Sequence, residues 1–232
     1  MAETYRLISS LTCPWVQRAA IVLRAKDIEF EVTHIDLQDK PDWFLEISPH
    51  GKVPVLVVDE RPLFESNAIA EYLDEVAEPR LHPGEAIKRA RNRAWTDFVP
   101  TFSPGLSGIY YTKTEEAMNE GLKAAPATVT KLEKAIAEER GNDGPYFNGD
   151  KISLVDAAYA PFLQRFAFVE AKLQTGRLKD FPLLQAWSDA LLGTDIVTGS
   201  VADSFEDEFV ASLKRREFYV GTLFEERSAA AE

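Results

Sequence analysis

The sequence predicts a small α/β domain followed by a larger all-helical one. Three observations carry that prediction. Apolar segments in the first third follow the order strand–helix–strand, helix, strand–strand–helix. A Pro/Gly-rich stretch, Glu78-Pro79-Arg80-Leu81-His82-Pro83-Gly84, then interrupts all periodicity. Beyond it, every apolar pattern has helical spacing. The expected division is 1–78 for the α/β domain, 79–85 for a linker and 86–232 for the helical domain.

The elements follow in chain order. Residues 4–9 are a short apolar strand. Residues 14–26 carry Val16, Ala19, Ala20 and Leu23 at helical spacing, and Pro14 suits a first helical position, where its missing N–H would be unpaired anyway. Residues 28–37 largely alternate and read as a strand. Residues 40–48 form a short helix led by Pro41. Residues 53–58 and 61–65 form two strands around the turn Asp59-Glu60, and Ser66 caps a helix to about Val76. The sheet has about four strands. In the second half, residues 87–98 are helical and Pro100 and Pro104 interrupt them. Residues 115–139, 153–168, 181–192 and 203–224 complete the helices, and 228–232 read as a frayed tail. Ser153 followed by Asp156 resembles a capping box, and Pro161 predicts a kink or a late start.

Composition sets the outer bounds. The chain has 232 residues, 45% hydrophobic and 28% charged, which is ordinary for a globular protein. A net charge of −12 argues against nucleic acid and anionic membrane as main partners. One cysteine forms no internal disulfide, no stretch approaches membrane-spanning length, and no basic leader opens the chain, so a cytoplasmic setting is expected. His34, His50 and His82 show no metal-ligand spacing, and no metal is expected.

That single cysteine, Cys13, stands at a strand-to-helix junction, directly before Pro14. A helix N-terminus favours an anion, so the thiol there is expected to ionise easily. At an ordinary pKa of ~8.5 only about 3% is thiolate at neutral pH; lowering it by about two units requires roughly 2.7 kcal/mol of differential stabilisation. The competing reading is a buried, inert cysteine. Val16 stands three positions on, so a two-cysteine redox cycle is impossible and any thiol chemistry uses one sulfur at a time.

Five motifs then occur in order: Cys13-Pro14-Trp15, Lys40-Pro41-Asp42-Trp43-Phe44, Pro49-His50-Gly51-Lys52-Val53-Pro54-Val55-Leu56, Phe64-Glu65-Ser66, and Gly149-Asp150-Lys151-Ile152-Ser153-Leu154-Val155-Asp156. Together they resemble the glutathione transferase superfamily over nearly the full chain, in particular its cysteine-type classes (omega, lambda and dehydroascorbate-reductase-like). The resemblance implies a thioredoxin-like N-terminal domain, an all-helical C-terminal domain, and glutathione as co-substrate. It also implies a homodimer, although some cysteine-type members are monomers. It makes Cys13 the catalytic residue, forming a mixed disulfide with glutathione. It implies that Pro54 is cis and that Val53 pairs with the peptide backbone of glutathione. Glu65 and Ser66 suit the zwitterionic γ-glutamyl end, and Lys52 suits the glycyl carboxylate. Plain capping by Ser66, a strand-edge Pro54 and a solvated Lys52 are the simpler alternatives.

An apolar acceptor pocket is expected between the two domains, with Trp15, Phe102 and Trp187 as its candidates among aromatics that helical spacing equally assigns to the core. Asp156 reads as a fold-stabilising cap. Three functions compete: a glutathione-dependent thiol transferase or reductase acting through Cys13; a conventional conjugating transferase using Ser10, Thr12 or backbone donors; and a non-enzymatic ligand-binding protein of the same fold.

Overall fold

A computed structural model describes residues 3–229; residues 1–2 and 230–232, which include the end of the expected tail, lie outside the described residues. Strands β1 (Tyr5–Ser9), β2 (Glu31–His34), β3 (Val55–Val58) and β4 (Arg61–Phe64) form one sheet in the order β2-β1-β3-β4. β1 pairs in parallel with β2, Leu7 opposite Val32, and antiparallel with β3, Leu7 opposite Leu56. β3 and β4 form a hairpin turned by Asp59 and Glu60, both at positive φ. Every side chain of the central β3 is buried. The sheet is covered by α1 (Pro14–Ala25) and α3 (Ser66–Val76), with the short α2 (Asp42–Ile47) between β2 and β3.

The helical domain comprises α4 (Ala86–Tyr110), α5 (Glu115–Glu139), α6 (Leu154–Leu173), α7 (Pro182–Leu192), α8 (Asp195–Thr198), α9 (Phe205–Arg215) and α10 (Tyr219–Ala229). Three expectations change. The strand at 28–37 shrinks to Glu31–His34, an edge strand whose side chains are mostly exposed. Pro100 and Pro104 do not end α4, which continues through both to Tyr110 because Val99, Phe102, Leu106 and Ile109, before, between and beyond them, are fully buried. The stretch 203–224 divides into α9 and α10 at Arg216-Glu217-Phe218, where Glu217 has positive φ.

The helix cap at α6 forms as expected. Ser153 and Asp156 make reciprocal capping contacts, and the fully buried Asp156 also accepts from Phe147 N (3.0 Å) and Trp187 Nε1 (2.6 Å). Burial pushes its carboxyl upward while these donors pull it back. α1 and α6 join the two domains. Gln17 Nε2 donates to Gln164 Oε1 (2.5 Å) and Ser200 Oγ (3.1 Å), and Gln17 Oε1 accepts from Arg165 Nη1 (2.7 Å). The chain between α3 and α4 is pinned by Lys26, whose buried Nζ pairs with Asp74 (2.9 Å) and donates to the carbonyls of Ala77 and Pro79.

Candidate active site

Cys13 occupies the N-cap position of α1, directly before Pro14 at the first helical position, and its side chain makes no capping hydrogen bond. It is half-buried. Burial pushes its thiol above the ordinary value; the N–H groups of Val16 and Trp15 and the Arg165 guanidinium oppose that rise without cancelling it. This corrects the expectation of an easily ionised thiol. The helix N-terminus is in place, and burial of the sulfur outweighs it.

Lys52, Val53, Pro54, Glu65 and Ser66 converge on one cleft of about 370 Å³, shared with Trp15, Arg18 and Asp97. Local geometry places them. Ser48 Oγ donates to Lys52 O (2.9 Å) and accepts from Lys52 N (3.0 Å), closing the loop after α2, and Gly51 takes the positive φ that this turn requires. The Val53–Pro54 peptide is cis and leads straight into β3. Glu65, at φ 68° and ψ 113°, is the N-cap of α3. A non-glycine residue in that region is strained by about 1–3 kcal/mol, and such strain concentrates at binding sites. Ser66 is therefore the first helical residue rather than the cap, and it is buried at the cleft wall.

Cys13 does not line that cleft. It lines a neighbouring pocket of about 340 Å³, and Trp15 is common to both. Trp15 packs edge-on against Phe162 at 5.1 Å. The pocket also takes in Ser10, Thr12, Tyr110, Tyr111, Arg165 and Arg216. Two candidates for its wall are misplaced: Phe102 and Trp187 are fully buried and line neither space. Phe102 packs on Tyr159 at 5.0 Å, and Trp187 lies against Phe147 and Tyr159 with its indole N–H on Asp156. Both belong to the helical core. Nor is the pocket simply apolar, since two guanidiniums and several hydroxyls line it.

Arg18 and Arg165 escaped the sequence reading. Arg18 is 3% exposed, its guanidinium lies 5.2 Å over the Trp15 ring, and Nη1 reaches Asn67 Oδ1 at 3.5 Å while Nε and Nη2 make no hydrogen bond. Asn67 in turn donates to Asp97 at 3.0 Å. Burial lowers the Arg18 pKa to about 10, so it remains a cation at neutral pH. Arg165 is 1% exposed; Nη1 donates to Gln17 Oε1 and Pro161 O, and Nη2 to Thr12 O, one residue before Cys13. A signal existed for both: each is a cation inside an apolar helical run, where an unpaired charge is costly. Of the histidines, His50 lines the cleft, His82 contacts Glu71 at 2.8 Å, and no cluster of potential metal ligands occurs among the described residues. No helix among them is long and apolar enough to cross a membrane.

Comparison with known proteins agrees with this architecture. The family model "Glutathione S-transferase, N-terminal domain" matches residues 7–81, and "Glutathione S-transferase, C-terminal domain" matches 115–190. Glutathione S-transferase U22 of Arabidopsis thaliana is 33% identical over 227 residues, covering 94% of this chain and 99% of the relative. Glutathione S-transferase omega-1 of Mus musculus is 31% identical over 201 residues, covering 86% and 81%. The crystal structure of a Tau class glutathione S-transferase from mango, Mangifera indica, superposes with a TM-score of 0.78 at 26% identity, covering 90% of this chain and 98% of the other. The similarity thus extends to Tau-class and omega-class proteins alike. A sheet-and-helix half and an all-helical half, matched in order by both family models and by relatives over 81–99% of their length, show that the chain belongs to the glutathione S-transferase family.

Proposed function

We propose that the protein is a glutathione-dependent thiol transferase that removes glutathione from disulfides or conjugates through a Cys13–glutathione mixed disulfide. One observation carries this reading: Trp15 separates a cleft with charges of both signs from a pocket that holds the chain's single thiol. Glutathione is zwitterionic and peptide-like, so Lys52 is assigned to its glycyl carboxylate, the Val53 backbone to its cysteinyl unit, and Glu65 and Ser66 to its γ-glutamyl end. Arg18 adds a buried positive charge to the same cleft.

On a mixed disulfide of glutathione and a second thiol, the Cys13 thiolate attacks the glutathionyl sulfur. The Cys13–glutathione bond forms, the original disulfide breaks, and the second thiol leaves as its thiolate and takes a proton from water. A glutathione thiolate then attacks the same glutathionyl sulfur, releasing oxidised glutathione and restoring the Cys13 thiolate. The same reading makes the protein a cytoplasmic homodimer. Treatment with oxidised glutathione is expected to add one glutathionyl group, located on Cys13 by peptide mass spectrometry; folded protein without that adduct defeats the proposal.

A conjugating transferase is the second reading, and the upward push on the Cys13 thiol favours it. Ser10 and Thr12 line the same pocket and offer hydroxyls to a glutathione thiolate. A rate with an aryl halide that survives Cys13→Ala selects this alternative.

A further inference from the structure

The pocket beside Cys13 has a charge of its own, opposite to that of the chain. The protein carries 38 Asp and Glu against 26 Lys and Arg, yet no carboxylate side chain lines this pocket among the described residues, while Arg165 and Arg216 both do. Arg165 is buried, its guanidinium lies 4.8 Å over the Phe205 ring, and its hydrogen-bond acceptors are all neutral: Gln17 Oε1 (2.7 Å), Pro161 O (2.6 Å) and Thr12 O (3.0 Å). Its Nε makes no hydrogen bond. Burying a guanidinium without a carboxylate partner is costly, and in so acidic a chain a partner was readily available. Arg216 is exposed and lies over the rings of Tyr111 (5.4 Å) and Phe218 (4.7 Å), which hold its planar group beside the aromatic wall. The pocket therefore offers an aromatic surface, hydroxyls from Ser10, Ser103 and Ser107, and positive charge that no lining carboxylate offsets.

We propose that the acceptor half of the substrate carries a carboxylate beside a planar apolar group, and that Arg165 and Arg216 select it. Insofar as it names the acceptor, this rests on the reading of Cys13 as the thiol that exchanges with glutathione. It departs from a neutral hydrophobic acceptor, for which the two arginines are an obstacle.

The test uses the full chain and two arms. In the first, calorimetry compares S-(4-carboxybenzyl)glutathione with S-(4-methylbenzyl)glutathione. The carboxylate is expected to bind about tenfold more tightly, with the preference reduced by added salt and falling to about threefold in Arg216→Gln. Equal affinity for the two conjugates overturns the proposal, and so does a preference undiminished in Arg216→Gln. The second arm needs no glutathione. 4-Methylbenzoate is expected to protect Cys13 from iodoacetamide at about tenfold lower concentration than 4-methylbenzamide; equal protection, or none from either, overturns the proposal. Failure of the thiol-transfer reading looks different: no glutathionyl adduct on Cys13, with benzoate protection intact.

Discussion

The two spaces on either side of Trp15 differ in charge more than in size. The cleft of about 370 Å³ sets Lys52 and Arg18 against Glu65 and Asp97, so both signs face one ligand. The pocket of about 340 Å³ presents cations alone. A site with both signs suits a zwitterion by matching each end, as proposed for glutathione, and the strained Glu65 backbone lies at the acidic side of this cleft. A site with one sign sorts neutral from anionic molecules. The division explains how a chain of net charge −12 holds positively charged ground around its one thiol: the field is local, and burial magnifies it.

The largest expected effect would break the comparison outright. Cys13→Ala is expected to lower thiol-transfer kcat/KM by about 10³-fold or more while glutathione affinity changes less than about twofold, because Cys13 lines the pocket and not the cleft. Steady-state assay on a glutathione mixed disulfide, paired with calorimetry, checks both parts. Next comes pH. The thiolate is the reactive form and burial raises the thiol above its ordinary value, so the alkylation rate of Cys13 should climb about tenfold per pH unit through neutrality, with its plateau above the usual thiol range. A plateau already reached near pH ~7 shows that the helix N-terminus and Arg165 prevail over burial after all.

Arg18→Met, on the cleft side, is expected to weaken glutathione binding about tenfold and to leave the ratio between acceptors unchanged. A smaller effect sharpens the pocket side. Relative to a small free thiol, Cys13 should favour iodoacetate over iodoacetamide by several-fold, roughly the worth of one partly screened charge pair, and salt should reduce that preference. The smallest concerns a residue in neither space. Phe102→Leu is expected to lower unfolding free energy by about 1 kcal/mol and to leave the acceptor KM unaltered, since Phe102 is sealed within the helical core.

Most of the architecture was legible because its signals are local. Pro14 and Pro41 stand at helix starts, Ser153 and Asp156 spell out a cap, and a continuous apolar run at 53–58 is followed by the turn Asp59-Glu60 and a short partner strand. Where the reading failed, distant packing decided. Pro100 and Pro104 look like helix breakers, but buried side chains between and beyond them keep α4 continuous. Residues 28–37 largely alternate like a full strand, yet of these only Glu31–His34 form the strand that pairs with β1. At the site, Lys52-Val53-Pro54 and Glu65-Ser66 meet in one cleft, and each group is contiguous in sequence. Phe102 and Trp187 were misassigned because helical periodicity gives a core aromatic and a pocket aromatic the same spacing. Arg165 was missed because its neighbours, Gln17 and Thr12, are brought to it only by the packing of α6 on α1.

Trp15 borders both spaces, so if glutathione and the acceptor fill them as proposed, the two ligands are thermodynamic partners. A molecule that turns or stiffens the ring from the cleft alters the free energy of filling the pocket, and the pocket's occupant must alter the cleft by the same factor. Titrating 4-methylbenzoate in the presence and absence of S-methylglutathione, and then reversing the order, measures that factor twice. The two values must agree, and their size states how far the co-substrate helps to choose its own acceptor.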